Sequence, residues 1–215
     1  MDYAAPDFGS AALVTIDVQV DTLDGQPSEV AGTSAVVPRI AALAAGFRAV
    51  NQPIVHIVRL YRSDGSNVDL CRRAAVEAGA AIFAVGSSGS QLAPGIVEDP
   101  ASLTLDASGL LAGRPQEVRP GEIVMYKPRW GAFYATLLED HLRRNGVSTV
   151  VFCGCNFPNC PRTSIYEASE RDFRVVLAED AISGLYDKGR DELQKIGVRL
   201  LPTTAIIRSM RHATG

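Results

Sequence analysis

Histidine is scarce in this sequence: the 215 residues hold three, at positions 56, 141 and 212, and none stands in an Asp-x-His or His-x-x-x-His pair. The short signatures of a hydrolytic metal site are therefore missing. Cysteine is almost as rare. The four thiols at 71, 153, 155 and 160 are too few and too clustered for a disulfide framework. Their C-x-C-x4-C spacing has neither a second pair at finger-like distance nor a neighbouring histidine to complete a zinc site. No metal or other cofactor is expected. Also missing are an apolar run of about 18 residues, which a membrane span needs, and a basic excess, since the formal net charge is −3. Neither nucleic acid nor a membrane is an expected partner. The opening Met1-Asp2-Tyr3-Ala4 has neither the basic region nor the apolar core of a signal peptide, so the cytoplasm is the expected compartment.

What the chain has in abundance is apolar residues, 47% of the total, in runs that alternate with amphipathic stretches. Ala11 to Ile16, Ile54 to Val58, Ile123 to Tyr126, Thr149 to Cys153, Arg174 to Ala178 and Val198 to Ile207 read as strands. Ser34 to Val50, Ala132 to Asn145, Thr163 to Arg171 and Asp187 to Ile196 read as helices. Asn145-Gly146 and Ile196-Gly197 supply helix stops just before the next strand. Apolar strands separated by helices predict a parallel sheet covered on both faces. The expected fold is a single α/β domain over 1–215, a three-layer α/β/α sandwich with a mostly parallel, Rossmann-like six-stranded sheet. Between Tyr61 and Gly121 the periodicity fails, with Gly, Ser and Pro concentrated in Gly86 to Gly95 and a second loose stretch from Asp99 to Pro120. A stretch of that length predicts a lid, a pocket wall or a subunit contact.

Ligands of parallel α/β sheets bind beyond the carboxyl ends of the strands. Three residues there carry chemistry: Asp17 follows Leu13-Val14-Thr15-Ile16, Lys127 follows Ile123-Val124-Met125-Tyr126, and Cys160 lies in the loop after Thr149 to Cys153. Cys160 also opens a helical segment, where free backbone N–H groups and the positive end of the dipole favour a thiolate. Pro161 fits the first helical turn. Singly each residue has a structural reading: a cap, a solvated amine, a packed thiol. Together they provide a base, a positive charge that favours the thiolate, and a nucleophile, most of what acyl transfer requires. His56, inside the run Ile54 to Val58, reads as a core or pocket-wall residue.

The combination of Asp17-Val18-Gln19, Lys127-Pro128-Arg129-Trp130-Gly131-Ala132-Phe133 and Gly154 six residues before Cys160 resembles the isochorismatase-like cysteine hydrolases. That superfamily includes nicotinamidases and N-carbamoylsarcosine amidases, and the resemblance spans roughly Ala11 to Ile207. It implies Asp17 as general base and acid, Lys127 as the charge that lowers the thiol pKa, and Cys160 as the nucleophile that forms a thioester with a small amide, ureide or carbamoyl substrate. It further implies a cis peptide between Cys155 and Asn156, an oxyanion hole from the backbone N–H groups of Asn156 and Cys160, and a homo-oligomer, dimer or tetramer.

The departures concern specificity. Phe157-Pro158 stands where relatives commonly have Thr three residues before the cysteine, Pro161 replaces a small apolar residue, Gly131 stands for Ser or Asn, and Thr22 for Phe. The metal-binding Asp-x-His of nicotinamidases is replaced by the segment Arg59 to Asn67, which counts against that activity. Arg59 and Arg62, just past the second strand, are candidates to recognise a substrate carboxylate or carbonyl through their forked donors, and Trp130 and Phe157 are candidates for an apolar pocket wall. Two rivals stand beside the amidohydrolase: a vinyl-ether hydrolase of isochorismatase type, which uses the aspartate without a nucleophilic cysteine, and a non-catalytic scaffold of the same fold. A strongly depressed Cys160 pKa would favour catalysis; an ordinary one would favour the scaffold.

Overall fold

The computed structural model describes residues 2–99 and 103–213. Seven strands form one sheet: β1 (Ala11–Ile16), β2 (Ile54–Val58), β3 (Gln116–Arg119), β4 (Glu122–Tyr126), β5 (Thr149–Gly154), β6 (Arg174–Ile182) and β7 (Arg199–Leu201). Their spatial order is β3-β4-β2-β1-β5-β6-β7, and every pairing is parallel except β3 with β4. The chain builds outward from β1 to β4, then returns to the other side of β1 with β5. That reversal leaves a crevice at the carboxyl ends of β1 and β5, the place where such sheets bind ligands.

Every residue of β1, β2 and β5 is buried, as parallel strands covered on both faces require. One face is covered by helix α1 (Thr33–Ala49), which presents Ile40, Leu43, Ala44 and Phe47 at the spacing of one helical stripe, and by α7 (Thr203–Ala213) with Ile206 and Met210. On the other face lie α4 (Leu138–Arg144), α5 (Cys160–Ser169) and α6 (Asp187–Lys195), around Phe152, Ile165, Ala168 and Leu193. The three-layer sandwich is therefore as expected, with one strand more.

The extra strand is β3, which lies in the stretch expected to be loose. It is an edge strand of alternating burial, antiparallel to β4, with a shift of register between Glu117 and Arg119. The same middle segment holds the short helices α2 (Leu70–Glu77) and α3 (Ala107–Leu111) and packs its own apolar groups: Leu105 and Leu110 against Val58 and Val124, and Tyr61 with Val68 and Phe83. Two expectations need correction. Val198 to Ile207 is not one strand, because Pro202 ends β7 and the Asp180 carboxylate then accepts from both the backbone N–H and the hydroxyl of Thr203, starting α7. The helix expected from Ala132 begins only at Leu138, because the amides of Ala132 and Phe133 are given to the Ser164 hydroxyl and the Glu167 carboxylate on α5.

Candidate active site

The sheet's own hydrogen bonds run one residue past the strands and pin the backbone of the candidate residues. Asp17 N–H donates to Ile57 O at 2.9 Å, Lys127 N–H to Val58 O at 3.1 Å, and Cys155 N–H to Ile16 O at 2.9 Å. Asp17 then leaves β1 in the left-handed region, at φ 52°, which Asp tolerates better than most residues. Gly154 has φ 120°, and a Cβ there would run into the carbonyl oxygen of Ile16, so only glycine lets β5 approach β1 at the mouth of the crevice. The Cys155–Asn156 peptide bond is cis.

Lys127 Nζ donates to Asp17 Oδ2 at 2.9 Å and to Arg129 O at 3.2 Å, reaching across the end of β2. Lys127 is fully buried and Asp17 keeps 4% of its accessible surface. Burial pushes the Asp17 carboxyl upward, but the charges of Lys127 and Arg59 outweigh it, and the carboxyl is held below the usual range. Its Oδ1 is buried without a hydrogen-bond partner. Cys160, 4% exposed at the start of α5, lies close enough to this carboxylate for each to perturb the other's titration. Its carbonyl accepts from the Ser164 hydroxyl at 2.7 Å. Among the described residues, the amides of Asn156 and Cys160 donate to no backbone acceptor.

The thiol does not follow the expectation of a depressed pKa. Burial and the neighbouring Asp17 charge raise it; Lys127 and Arg59 pull it down without prevailing. At rest the pair is a carboxylate anion beside a neutral thiol. An unpartnered carboxylate oxygen beside a protonated thiol is the arrangement in which a base takes a proton during attack, rather than one in which the thiolate is preformed.

Arg59 is the largest fully buried side chain, and it stands inside the site. Its Nη2 donates toward Cys160 Sγ at 3.4 Å, and its Nε is 3.6 Å from Asp17 Oδ2. Nη1 donates to the Tyr61 hydroxyl at 3.0 Å and to the Asp69 carboxylate. The backbone of Arg59 is clamped by the Gln19 side chain, which accepts from its N–H and donates to its carbonyl, each at 2.8 Å, while also donating to Ser90 O. Trp130, half-buried, lies under the guanidinium groups of Arg59 and Arg72 at 5.1 and 4.8 Å.

The other two candidates lie elsewhere. Arg62 is exposed, and its backbone N–H donates to Asn67 Oδ1. Phe157 is fully buried, edge-on to Tyr186 at 5.4 Å, and a Cβ on Gly189 of α6 would collide with its ring. It is a core side chain under the loop rather than a wall above it, because the missing side chain of Gly189 leaves its ring a place between loop and helix. Pro158 is exposed and Pro161 is buried in the first turn of α5. His56 is a satisfied core residue between Thr15 Oγ1 and Glu122 Oε1, both at 2.9 Å. Sequence reading missed Asp69 and Tyr61, which lie in the aperiodic segment. Gln19 belongs to the motif that opens at Asp17, and only the structure shows its amide buried and clamping Arg59.

A doubly wound α/β domain with a carboxylate, two cations and a thiol at its switch point defines the class. Residues 11–201 match the isochorismatase domain model. The chain is 34% identical over 176 residues to the isochorismatase family protein YecD of Escherichia coli O157:H7, covering 81% of this chain and 80% of YecD. It is 29% identical over 195 residues to the ureidoacrylate amidohydrolase RutB of Methylobacterium radiotolerans, covering 81% of this chain and 68% of RutB. An isochorismatase family protein from Desulfovibrio vulgaris superposes with a TM-score of 0.79 at 30% identity, covering 94% of this chain and 98% of that one. The chain belongs to the isochorismatase family of hydrolases. Among the described residues, no helix is long and apolar enough to cross a membrane, and no three His, Cys, Asp or Glu side chains gather as a metal site.

Proposed function

We propose that the protein is a cysteine amidohydrolase that cleaves a C–N bond of a small amide, ureide or carbamoyl compound through a thioester. Asp17, Lys127 and Cys160 carry the reaction. Asp17 Oδ1 takes the thiol proton as Cys160 Sγ attacks the carbonyl carbon; the tetrahedral oxyanion rests on the amides of Asn156 and Cys160. Collapse breaks the C–N bond and Asp17 returns the proton to the leaving nitrogen. Water, deprotonated by Asp17, then attacks the thioester, and the proton goes back to sulfur. Lys127 keeps Asp17 ionised at rest against the cost of its burial.

The observation that carries this reading is the juxtaposition at Asp17: one oxygen bound to Lys127 and the other unpartnered, beside Cys160. The amidohydrolase RutB among the relatives supports the C–N bond as the target. An ammonia-release screen over amides, ureides and carbamoyl acids tests it, with Cys160→Ser as the blank and mass spectrometry of rapidly acid-quenched enzyme to trap the acyl adduct on Cys160. Full turnover by the Ser variant overturns the nucleophile and favours the vinyl-ether type of chemistry. We place the enzyme in the cytoplasm, as a homo-oligomer associating through exposed apolar side chains such as Leu70, Tyr134 and Leu137. Light scattering of the purified protein decides the oligomeric state.

A further inference from the structure

Resting on the hydrolase reading, we infer that Arg59 is a fourth catalytic residue: its guanidinium is the cation that holds the Cys160 sulfur once the proton has left, while Lys127 serves Asp17. The two cations divide the site between them. Lys127 Nζ is spent on Asp17 Oδ2 and Arg129 O, whereas Arg59 Nη2 is aimed at Sγ, 3.4 Å away. A rigid planar fork can face a carboxylate and a sulfur at once, which an ammonium on a flexible stem does less well.

The setting matches that role better than the recognition of a substrate carboxylate. A substrate clamp needs donors that a ligand can reach, but Nη1 is taken by Asp69 and Tyr61 and Nη2 by Cys160, and Nε, which makes no hydrogen bond, is buried and faces Asp17 at 3.6 Å. The side chain is 1% exposed, lies against Trp130, and has its backbone held on both sides by Gln19. Asp69 and Tyr61 are then positioning residues. Asp69 also meets Arg72 at 3.4 Å, so the charge of Arg59 is shared along a short chain of ions from the sulfur outward.

The proton account closes. Before attack the negative charge lies on Asp17 and the proton on the thiol. When the thiol proton moves to Asp17, the negative charge moves to sulfur, and Arg59 stands beside both its origin and its destination. The transfer therefore shifts charge within reach of one fixed cation rather than creating it in an apolar site. The groups that face the sulfur are Asp17, Lys127, Arg59 and the buried Cys155 thiol; those that face the guanidinium are Asp17, Cys160, Tyr61 and Asp69.

The test is the pH profile of Cys160 alkylation by iodoacetamide, read by mass spectrometry in a Cys71→Ser background that removes the exposed thiol. Arg59→Gln is expected to raise the alkylation midpoint by about one pH unit or more, about tenfold slower near neutral pH, with Arg59→Lys between. On a substrate from the ammonia screen, kcat should fall about a hundredfold with KM within about twofold. An unchanged midpoint, or a raised KM with kcat intact, overturns the assignment, the latter in favour of a substrate clamp. Should Arg59→Gln not fold, Arg59→Lys decides: a lone ammonium in place of the fork should leave the midpoint raised by a measurable fraction of a pH unit, and an unchanged midpoint overturns the assignment. Alkylation needs no substrate, so loss of the hydrolase reading and loss of the Arg59 role are separate results.

Discussion

Lys127 and Asp17 meet as a buried ion pair, Nζ to Oδ2 at 2.9 Å, from the ends of two strands that are not neighbours in the sheet. The pair is fully desolvated on the lysine side, so removing one partner strands the other. Lys127→Met should destabilise the protein by roughly 3 kcal/mol and abolish turnover. Asp17→Asn combined with Lys127→Met should recover much of that stability and none of the activity. Chemical denaturation of wild type and the two variants, with activity measured alongside, checks this.

Lys127 and Arg59 hold the Asp17 carboxyl below its usual range against burial, so on the proposed mechanism the base stays ionised at lower pH than an ordinary aspartate. The acid limb of kcat/KM, set by Asp17, should lie at lower pH than that of an ordinary aspartate. Arg59→Lys should leave it nearly in place, and loss of the Lys127 charge should raise the titration of the carboxyl itself. pH–rate profiles of wild type and Arg59→Lys check the first, and an NMR titration of the Asp17 carboxyl in Lys127→Gln, which needs no turnover, checks the second.

Glu122 gives the fold a separate pH dependence. Burial would raise its pKa, but hydrogen bonds from Arg48 and His56 hold it at about 2. A carboxyl depressed on folding stabilises above its unfolded pKa and is protonated at a cost as pH falls. The stabilisation is thus complete above about pH 5 and should fall by something like 3 kcal/mol between about pH 4.5 and 2. Glu122→Gln should flatten that slope, as thermal melts across this range would reveal.

Gly154→Ala should be among the most damaging small changes. The added methyl group meets the Ile16 carbonyl in a positive-φ conformation, so β5 must move off β1 where Asp17 and Cys155 are set. Roughly 2–4 kcal/mol of stability should be lost, and activity with it. A Gly154→Ala protein with wild-type melting would contradict the close approach.

Phe157→Ala distinguishes a core residue from a pocket wall. Its ring is buried against Tyr186 and Gly189, so truncation should cost about 3–5 kcal/mol. In the surviving folded fraction, KM should stay within about twofold. A large KM change with unaltered stability would return Phe157 to the pocket.

Much of this was legible in the chain. Runs such as Ala11 to Ile16 and Thr149 to Cys153 are almost wholly apolar because parallel central strands are buried on both faces. Asp17 and Lys127 are the first polar residues after such runs, and Cys160 follows within one loop, so their place at the carboxyl edge could be read from spacing. Where local cues competed, the reading slipped. Val198 to Ile207 is apolar enough for a strand, yet Pro202 and the Asp180 cap turn its second half into helix. Ala132 to Leu137 has helical composition, but its first amides bond to α5 instead of to its own turn.

By itself, then, the sequence determined the layers, the order of the six parallel strands and the helices between them, and three of the four groups of the site, Asp17, Lys127 and Cys160, because burial period and strand-end position are properties of neighbouring residues. Only the tertiary structure decided that Arg59 turns inward to the sulfur, that Asp69 and Tyr61 hold it, and that Phe157 goes into the core while Arg62 stays outside. Those outcomes depend on contacts between segments up to about a hundred residues apart, such as Arg59 with Cys160 at a separation of 101. The balance of buried charge and packing that selects them has no period along the chain.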